Sequence, residues 1–384
     1  MAKSRSIFEE VQGDRSSVPT GGGMIDRAPK GSRGAVRGWL IALFLLVTVM
    51  IAVGGATRLT DSGLSITEWR PVTGALPPLS AEAWQTEFDK YRQIPQYQLV
   101  NKGMSLEEFQ FIYWWEWGHR QLGRLIGLVW GIGFLFFWAT KRIPPGWTGR
   151  LLLLGGLGGL QGAIGWWMVA SGLTGQMVSV ASYRLATHLG LAFVILGLIA
   201  WYVFLLGRSE AALMQARRGR EGKLFSMTTG VMHFAFLQIL LGALVAGIDA
   251  GRAFPTWPDM NGEFFPSNAL YVPDGGAVWR AFFENEGMVQ FLHRMSGYLL
   301  FVFGLVVWLR GRRSPHLTTR RAYDWLAVML FGQMVLGIVT VLTSAHVHVA
   351  LTHQVGAVIL WVLILRARHL AQYPVAGSIA KGTA

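Results

Sequence analysis

The chain reads as an all-α integral membrane protein, with eight transmembrane helices arranged as two pseudo-symmetric four-helix bundles. Three observations predict this. Of its 384 residues, 52% are hydrophobic and only 14% are charged. The apolar residues gather into runs of roughly 18 or more, long enough to cross ~30 Å of hydrocarbon. A short phrase at the second run recurs at the sixth, the mark of a duplicated unit. An aqueous protein of this length would form about two ordinary domains and would not carry this composition.

The runs fall near 38–57, 119–140, 150–170, 184–206, 225–248, 289–309, 324–343 and 350–366. An even number of spans puts both termini on one side of the bilayer. The net charge of +13 follows that topology. Basic residues crowd the amino-terminal segment (Arg27, Lys30, Arg33, Arg37) and the even-numbered connections (Lys141/Arg142; Arg217, Arg218, Arg220, Lys223; Arg310, Arg312, Arg313, Arg320, Arg321). Arg366 and Arg368 begin the tail. Basic connections stay in the cytoplasm, so the excess is an orientation signal and not a nucleic-acid footprint. The opposite loops, 58–118 and 249–287, hold most of the acids, among them Asp61, Glu82, Glu107, Glu108, Asp259 and Glu284.

Cysteine is absent. That excludes disulfides, thiolate metal sites and covalent heme attachment, and leaves histidine as the soft-metal ligand. Residues 1–37 are polar and Gly-rich and read as a disordered cytoplasmic tail, with the first span retained in the membrane.

The repeat sets the domain plan. His119-Arg120-Gln121-Leu122-Gly123 on the second span matches His293-Arg294-Met295-Ser296-Gly297 on the sixth. Thr187-His188 on the fourth matches Thr352-His353 on the eighth, and Gln161/Gly165 on the third matches Gln333/Gly337 on the seventh. A unit with an even number of spans repeats in the same orientation, about an axis along the membrane normal. The expected parts are an N-terminal half at 38–207, a cytoplasmic linker at 208–224, a C-terminal half at 225–366 and a cytoplasmic tail at 367–384. Gly155, Gly156, Gly158 and Gly159 form a small-residue stretch suited to close helix approach. In the first outer loop, Ser80 to Arg92 begins with a Ser cap and has helical spacing. The second loop, with Pro255, Trp257, Pro258, Phe264, Phe265 and Pro266, reads as a compact cap.

His119, His188, His293 and His353 fall within about two turns of the outer ends of the even-numbered spans. Ionisable groups in a membrane are costly and face the bundle interior, so four at one depth, two per repeat, point to cofactor ligation. A b-type heme takes two neutral imidazoles across its porphyrin, here His119 with His188 and His293 with His353. Any one of them alone also fits an interfacial hydrogen-bonding histidine. Arg120 and Arg294 follow the first ligand of each pair and suit a heme propionate, although snorkelling to headgroups fits them nearly as well. His233 reads as a packing residue, His346 and His348 as residues of the short outer loop that either cover a heme edge or do nothing specific, and His316 and His369 as ordinary cytoplasmic ones.

One position breaks the repeat. Three residues before the first histidine stands Glu116 in one half and Gln290 in the other. At i,i+3 spacing Glu116 shares a helix face with His119, where a carboxylate takes up a proton or stabilises positive charge as an amide does not. Pairing of Glu116 with Arg120 or Arg184 is the alternative. The asymmetry suggests a substrate in the first half and a permanent cofactor in the second.

These residues resemble the heme A synthase family, in its proteobacterial and mitochondrial branch. The likeness covers about Trp39 to Arg366 and rests on Glu116-x-x-His119-Arg120, Thr187-His188, His293-Arg294 and Thr352-His353-Gln354. It implies an oxidoreductase of the inner membrane that converts the C8 methyl of heme O to the formyl of heme A, with oxygen from water. It implies heme b on His293 and His353, the heme O substrate or heme A product on His119 and His188, and assistance from Glu116. The implied setting is cytochrome oxidase assembly, with heme sites toward the periplasm. The heme O-forming farnesyltransferase and other assembly factors are the expected partners, and a homo-oligomer is compatible with the chain. Family members with a cysteine pair in the first outer loop differ from this one. Two other readings stay open on the residues alone: a di-heme electron conduit, which would place hemes toward both faces, and a heme carrier, which would have no use for Glu116.

Overall fold

The computed structural model describes residues 32–272 and 275–378. Eight of its helices are long and apolar enough to cross a membrane. They are α1 (Ser32–Leu59), α2 (Leu106–Ala139), α3 (Thr148–Ala170), α4 (Ser182–Leu206), α5 (Gly222–Gly247), α6 (Glu286–Gly311), α7 (Leu317–Leu342) and α8 (Val347–Gln372). No strand forms among the described residues beyond one bridge, Met260 to Glu263.

All eight spans expected from hydropathy are present, and most run past the expected ends. Hydropathy stops where charge begins, whereas the helix continues through Arg33 and Arg37 at one end of α1 and through Glu107 and Glu108 at the start of α2. Residues 32–37 therefore belong to α1 and not to a tail; the rest of the expected tail, 1–31, lies outside the described residues. The α2 extension has a local cause. Ser105 caps it, accepting from Glu108 N, while the Glu108 carboxylate returns to Ser105 N at 2.8 Å. His119 is thus more than three turns from the start of its helix, while His188, His293 and His353 are within about two turns of theirs.

Within each set of four, the helices touch in a closed ring: α1–α2–α3–α4–α1 and α5–α6–α7–α8–α5. Across the middle, α4 packs on α5, α1 on α8, and α4 on α8. This is the contact pattern that a twofold axis along the bundle would give, since it would exchange the first two contacts and map the third onto itself. The seam is dense with buried Phe193, Leu196, Ile199, Trp361, Ile364 and Leu365. Polar ties cross it, with Trp361 Nε1 donating to Phe193 O at 3.1 Å and Gln354 Nε2 to Ile51 O at 2.9 Å.

The small-residue stretch on α3 is used at one point. A side chain at Gly155 would collide with Trp130 of α2, whereas Gly156, Gly158 and Gly159 face open space. At the end of the bundle with the shorter connections, the basic residues also cap helices. Arg33 donates to Leu205 O and Arg208 O, and Arg37 to Val203 O, adding side-chain donors around the C-terminal end of α4. The connection 208–224 contains a helix of its own, Glu210–Arg217.

The two long loops lie at the opposite end and are folded. In the first, the expected helix spans Ala81–Tyr91, with Ser80 accepting from Ala83 N at 3.1 Å. Phe88, Tyr91, Tyr97 and Phe109 pack into a second core that rests on α2 and α3. Tyr91 is fully buried, and burial pushes its phenol up to about 12. Between pH 10 and 12 the folded loop therefore holds a proton that the unfolded chain gives up, so stability falls as pH rises through this window. Titration by phenolate absorbance should show one late-titrating tyrosine fewer in Tyr91→Phe than in the wild type.

Candidate functional site

The four histidines at equivalent repeat positions occupy equivalent surroundings. Each ring packs against a glycine on the preceding helix. A Cβ built on Gly54 of α1 would lie 3.2 Å from His119 Nε2. On Gly165 of α3 it would lie 2.9 Å from His188 Cε1, on Gly242 of α5 3.0 Å from His293 Cε1, and on Gly337 of α7 3.1 Å from His353 Cε1. No alanine fits these positions without moving a ring, so glycine here admits an imidazole between two helices. His119 and His188 are close enough to interact electrostatically, as are His293 and His353.

Four residues before three of these glycines stands a glutamine, and its Nε2 donates to the backbone carbonyl of the adjacent histidine. Gln161 reaches His188 O at 3.0 Å, Gln238 reaches His293 O at 2.9 Å and Gln333 reaches His353 O at 2.8 Å. At the fourth place, before Gly54, stands Met50. Gln161 and Gln333 were visible as a match between the third and seventh spans. Gln238 was missed because the first span, its repeat partner, has no glutamine; searching every span for Gln-x-x-x-Gly finds it.

Glu116 is buried, 3% exposed, and ligated on both oxygens. Ser65 Oγ and Ile66 N each donate to Oε2 at 2.7 Å, while Arg120 donates to Oε1 from Nη2 at 2.6 Å and Nε at 3.1 Å. Arg120 is its partner, whereas Arg184 stacks on Trp167 instead. Gln290, 1% exposed, has the same place in the second half but the opposite loop to satisfy. Its Nε2 donates to Ala250 O and Phe254 O, and its Oε1 accepts from Arg294. The exchange of Glu for Gln thus has a structural cause that sequence comparison could not show: one loop offers donors, the other acceptors. Neither Ser65 nor Ile66 carried a sequence signal.

Arg120 and Arg294 fasten these loops to the bundle. Arg120 donates to Ile66 O and Glu68 O, and Arg294 to Phe254 O, Thr256 O and Asp259 O. Arg294 Nε is buried without a partner.

The other histidines lie elsewhere. His233 faces outward from α5, bonded to Thr229 O, and is not a packing residue. His346 and His348 are exposed at the start of α8, with rings 5.4 Å apart. His316 pairs with Glu221 at 3.4 Å. His369 departs most from expectation: it is 2% exposed, among Trp201, Phe204 and Tyr373, and neither ring nitrogen has a partner.

The donor set suits an iron porphyrin. Each pair offers two imidazoles, Nδ1 of His188 and of His353 is buried without a partner, and no cluster of three or more His, Asp or Glu side chains suited to a non-heme metal forms among the described residues. In class, this is a polytopic helical membrane protein in which four histidines at repeat positions each pack on a glycine. Residues 37–365 match the family described as cytochrome oxidase assembly protein. The chain is 65% identical to a heme A synthase of Cereibacter sphaeroides, 66% to one of Dinoroseobacter shibae and 64% to one of Paracoccus denitrificans, each over 99% of both chains. It belongs to the cytochrome oxidase assembly protein family.

Proposed function

We propose that this chain is a heme A synthase, which oxidises the C8 methyl of heme O to a formyl group. The observation that carries the site assignment is the fourfold packing of histidine on glycine, two per half. The names of the relatives, at 64–66% identity over nearly the whole chain, support the activity. The substrate heme O lies between His119 and His188 in the half 38–207, and a resident heme b between His293 and His353 in the half 225–366.

With water as the oxygen source, converting a methyl to a formyl releases four electrons and four protons. Heme b, when bound, supplies one-electron transfer toward an external acceptor. The residues of the first half do the rest. His119 and His188 orient the macrocycle. Glu116, fixed by four hydrogen bonds, is a preorganised negative charge that favours positive charge developing on the substrate. Arg120 and Arg294 hold the outer loops, and the free Nε–H of Arg294 is suited to a propionate.

The basic ends of the helices lie in the cytoplasm by the positive-inside rule, so the heme sites face the periplasm of a bacterial inner membrane. A substrate with a farnesyl tail arrives through the bilayer from the farnesyltransferase that forms it.

Extraction of the non-covalent hemes from detergent-purified protein, followed by chromatography and mass analysis, tests this reading. Heme b together with heme O or heme A is expected. Two equivalents of heme b alone would overturn the synthase and favour an electron conduit. The packing has its own test. Gly242→Val, which crowds His293, should cost about 1–3 kcal/mol and lower the heme b content, whereas Gly156→Val, facing open space, should change neither.

A further inference from the structure

The four histidine sites share a glycine notch on the preceding helix but differ in the residue four positions before that glycine. At three of them a glutamine on the preceding helix binds the histidine's backbone carbonyl through Nε2. In all three the amide oxygen, Oε1 of Gln161, Gln238 and Gln333, is buried and without a partner. Nδ1 of His188 and of His353 is buried and unpartnered as well. Gln238 Nε2 is 3.1 Å from His293 Nδ1 and 3.4 Å from its Nε2, and Gln161 Nε2 is 3.4 Å from His188 Nε2, so at both sites the amide also lies beside the imidazole ring.

On the pairs Gln161/His188 and Gln333/His353, an unpartnered amide oxygen and an unpartnered ring nitrogen thus lie on the same residue pair. An imidazole that binds iron through Nε2 carries its proton on Nδ1 and needs an acceptor there. Such an acceptor fixes tautomer and ring orientation and makes the imidazole a stronger ligand.

At the fourth site Met50 takes the glutamine's place. The placement is structural as well as sequential: Met50 Cε is 3.5 Å from a Cβ built on Gly123, and Gln238 Nε2 is 3.2 Å from one built on the repeat-equivalent Gly297. A thioether has no N–H to hold the carbonyl of His119 and is only a weak acceptor for its ring.

We propose that Gln161, Gln238 and Gln333 are positioning residues that lock their histidines onto heme iron, and that Met50 leaves His119 as the one releasable ligand. The proposal rests on the heme reading above and deepens it. Three locked histidines give a permanent bis-histidine site in the second half and a one-sided anchor, His188, in the first. Release of His119 would let product leave and substrate enter without disturbing the resident cofactor. The difference originates on α1 and not on the histidine's own helix.

Carbon monoxide binds ferrous heme only where an axial position opens, so its difference spectrum counts releasable ligands. Purified protein is loaded with two equivalents of heme b, reduced and exposed to carbon monoxide. In the wild type one heme per chain should react. Met50→Gln should slow that reaction about tenfold or more, the scale on which such supporting partners act. Gln238→Met should make the second heme reactive. Both hemes reacting alike in the wild type, or unchanged reactivity in both variants, would overturn the proposal. Should Met50→Gln not fold, Gln238→Met decides alone. His188→Ala and His353→Ala provide the separate check on the heme reading. Each should lose one heme, and retention of both hemes in both variants would remove the ligand assignment itself.

Discussion

His293→Ala should remove the heme of the second half and, with it, all formation of heme A. One imidazole of the pair is lost, and the ring that fills the space beside Gly242 goes with it. His353 alone leaves the iron without its second strong ligand, so the low-spin reduced spectrum should disappear and the extracted heme b should fall by one equivalent per chain. Because a cofactor that binds only the folded state stabilises it by mass action, the variant should also melt at a lower temperature. His233→Ala is the matched control. That histidine lies on α5 but faces outward, and its loss should leave heme content and activity unchanged. Equal heme b in wild type and His293→Ala would place the cofactor elsewhere.

Glu116→Gln should lower turnover by about 10²–10³-fold, the range found when one preorganised charge-stabilising group is removed, with heme O or a partly oxidised intermediate accumulating in the extracted pool. Glu116→Ala should act in the same direction. Glu116→Gln is close to isosteric and copies Gln290, yet the surroundings differ. Ser65 Oγ and Ile66 N both donate to Oε2, and an amide nitrogen turned toward them would leave a buried donor unmatched, at about 1–3 kcal/mol. Part of any defect could therefore arise from the loop and not from the chemistry. Ser65→Ala separates the two, since it removes one bond to the carboxylate while keeping its charge. A loss as large as that of Glu116→Gln would assign Glu116 a purely structural task. A much smaller loss, with heme content intact in both variants, agrees with the charge acting on the substrate.

These two expectations draw on different kinds of information. The repeat register of His293 and His353 was legible in the chain, because a duplicated membrane unit places equivalent residues at equal depth. The surroundings of Glu116 were not. Its partners Ser65 and Ile66 lie fifty residues away in a loop whose path is set by its own aromatic core, and no local pattern announces which of its groups turn toward α2. Likewise His369 reads as an ordinary tail residue, since the eighth apolar run ends at 366, but α8 continues to Gln372 and buries it against α4. Hydropathy measures solvent preference and not the length of a helix.

The sequence by itself determined the eight spans, their duplication, the four histidines and the direction of the charge asymmetry. Each follows from a one-dimensional rule: bilayer thickness sets run length, helical period sets the face, and the cost of ionisable groups in hydrocarbon singles out the histidines. Only the tertiary structure decided that each histidine ring fills a glycine notch on the preceding helix, and that three have a glutamine at the backbone carbonyl while the fourth has Met50. It also decided that Glu116 and Gln290 answer opposite loops. These features depend on which helix faces which, and at what height, and that is fixed by side-chain packing summed over the whole bundle and not by any single segment.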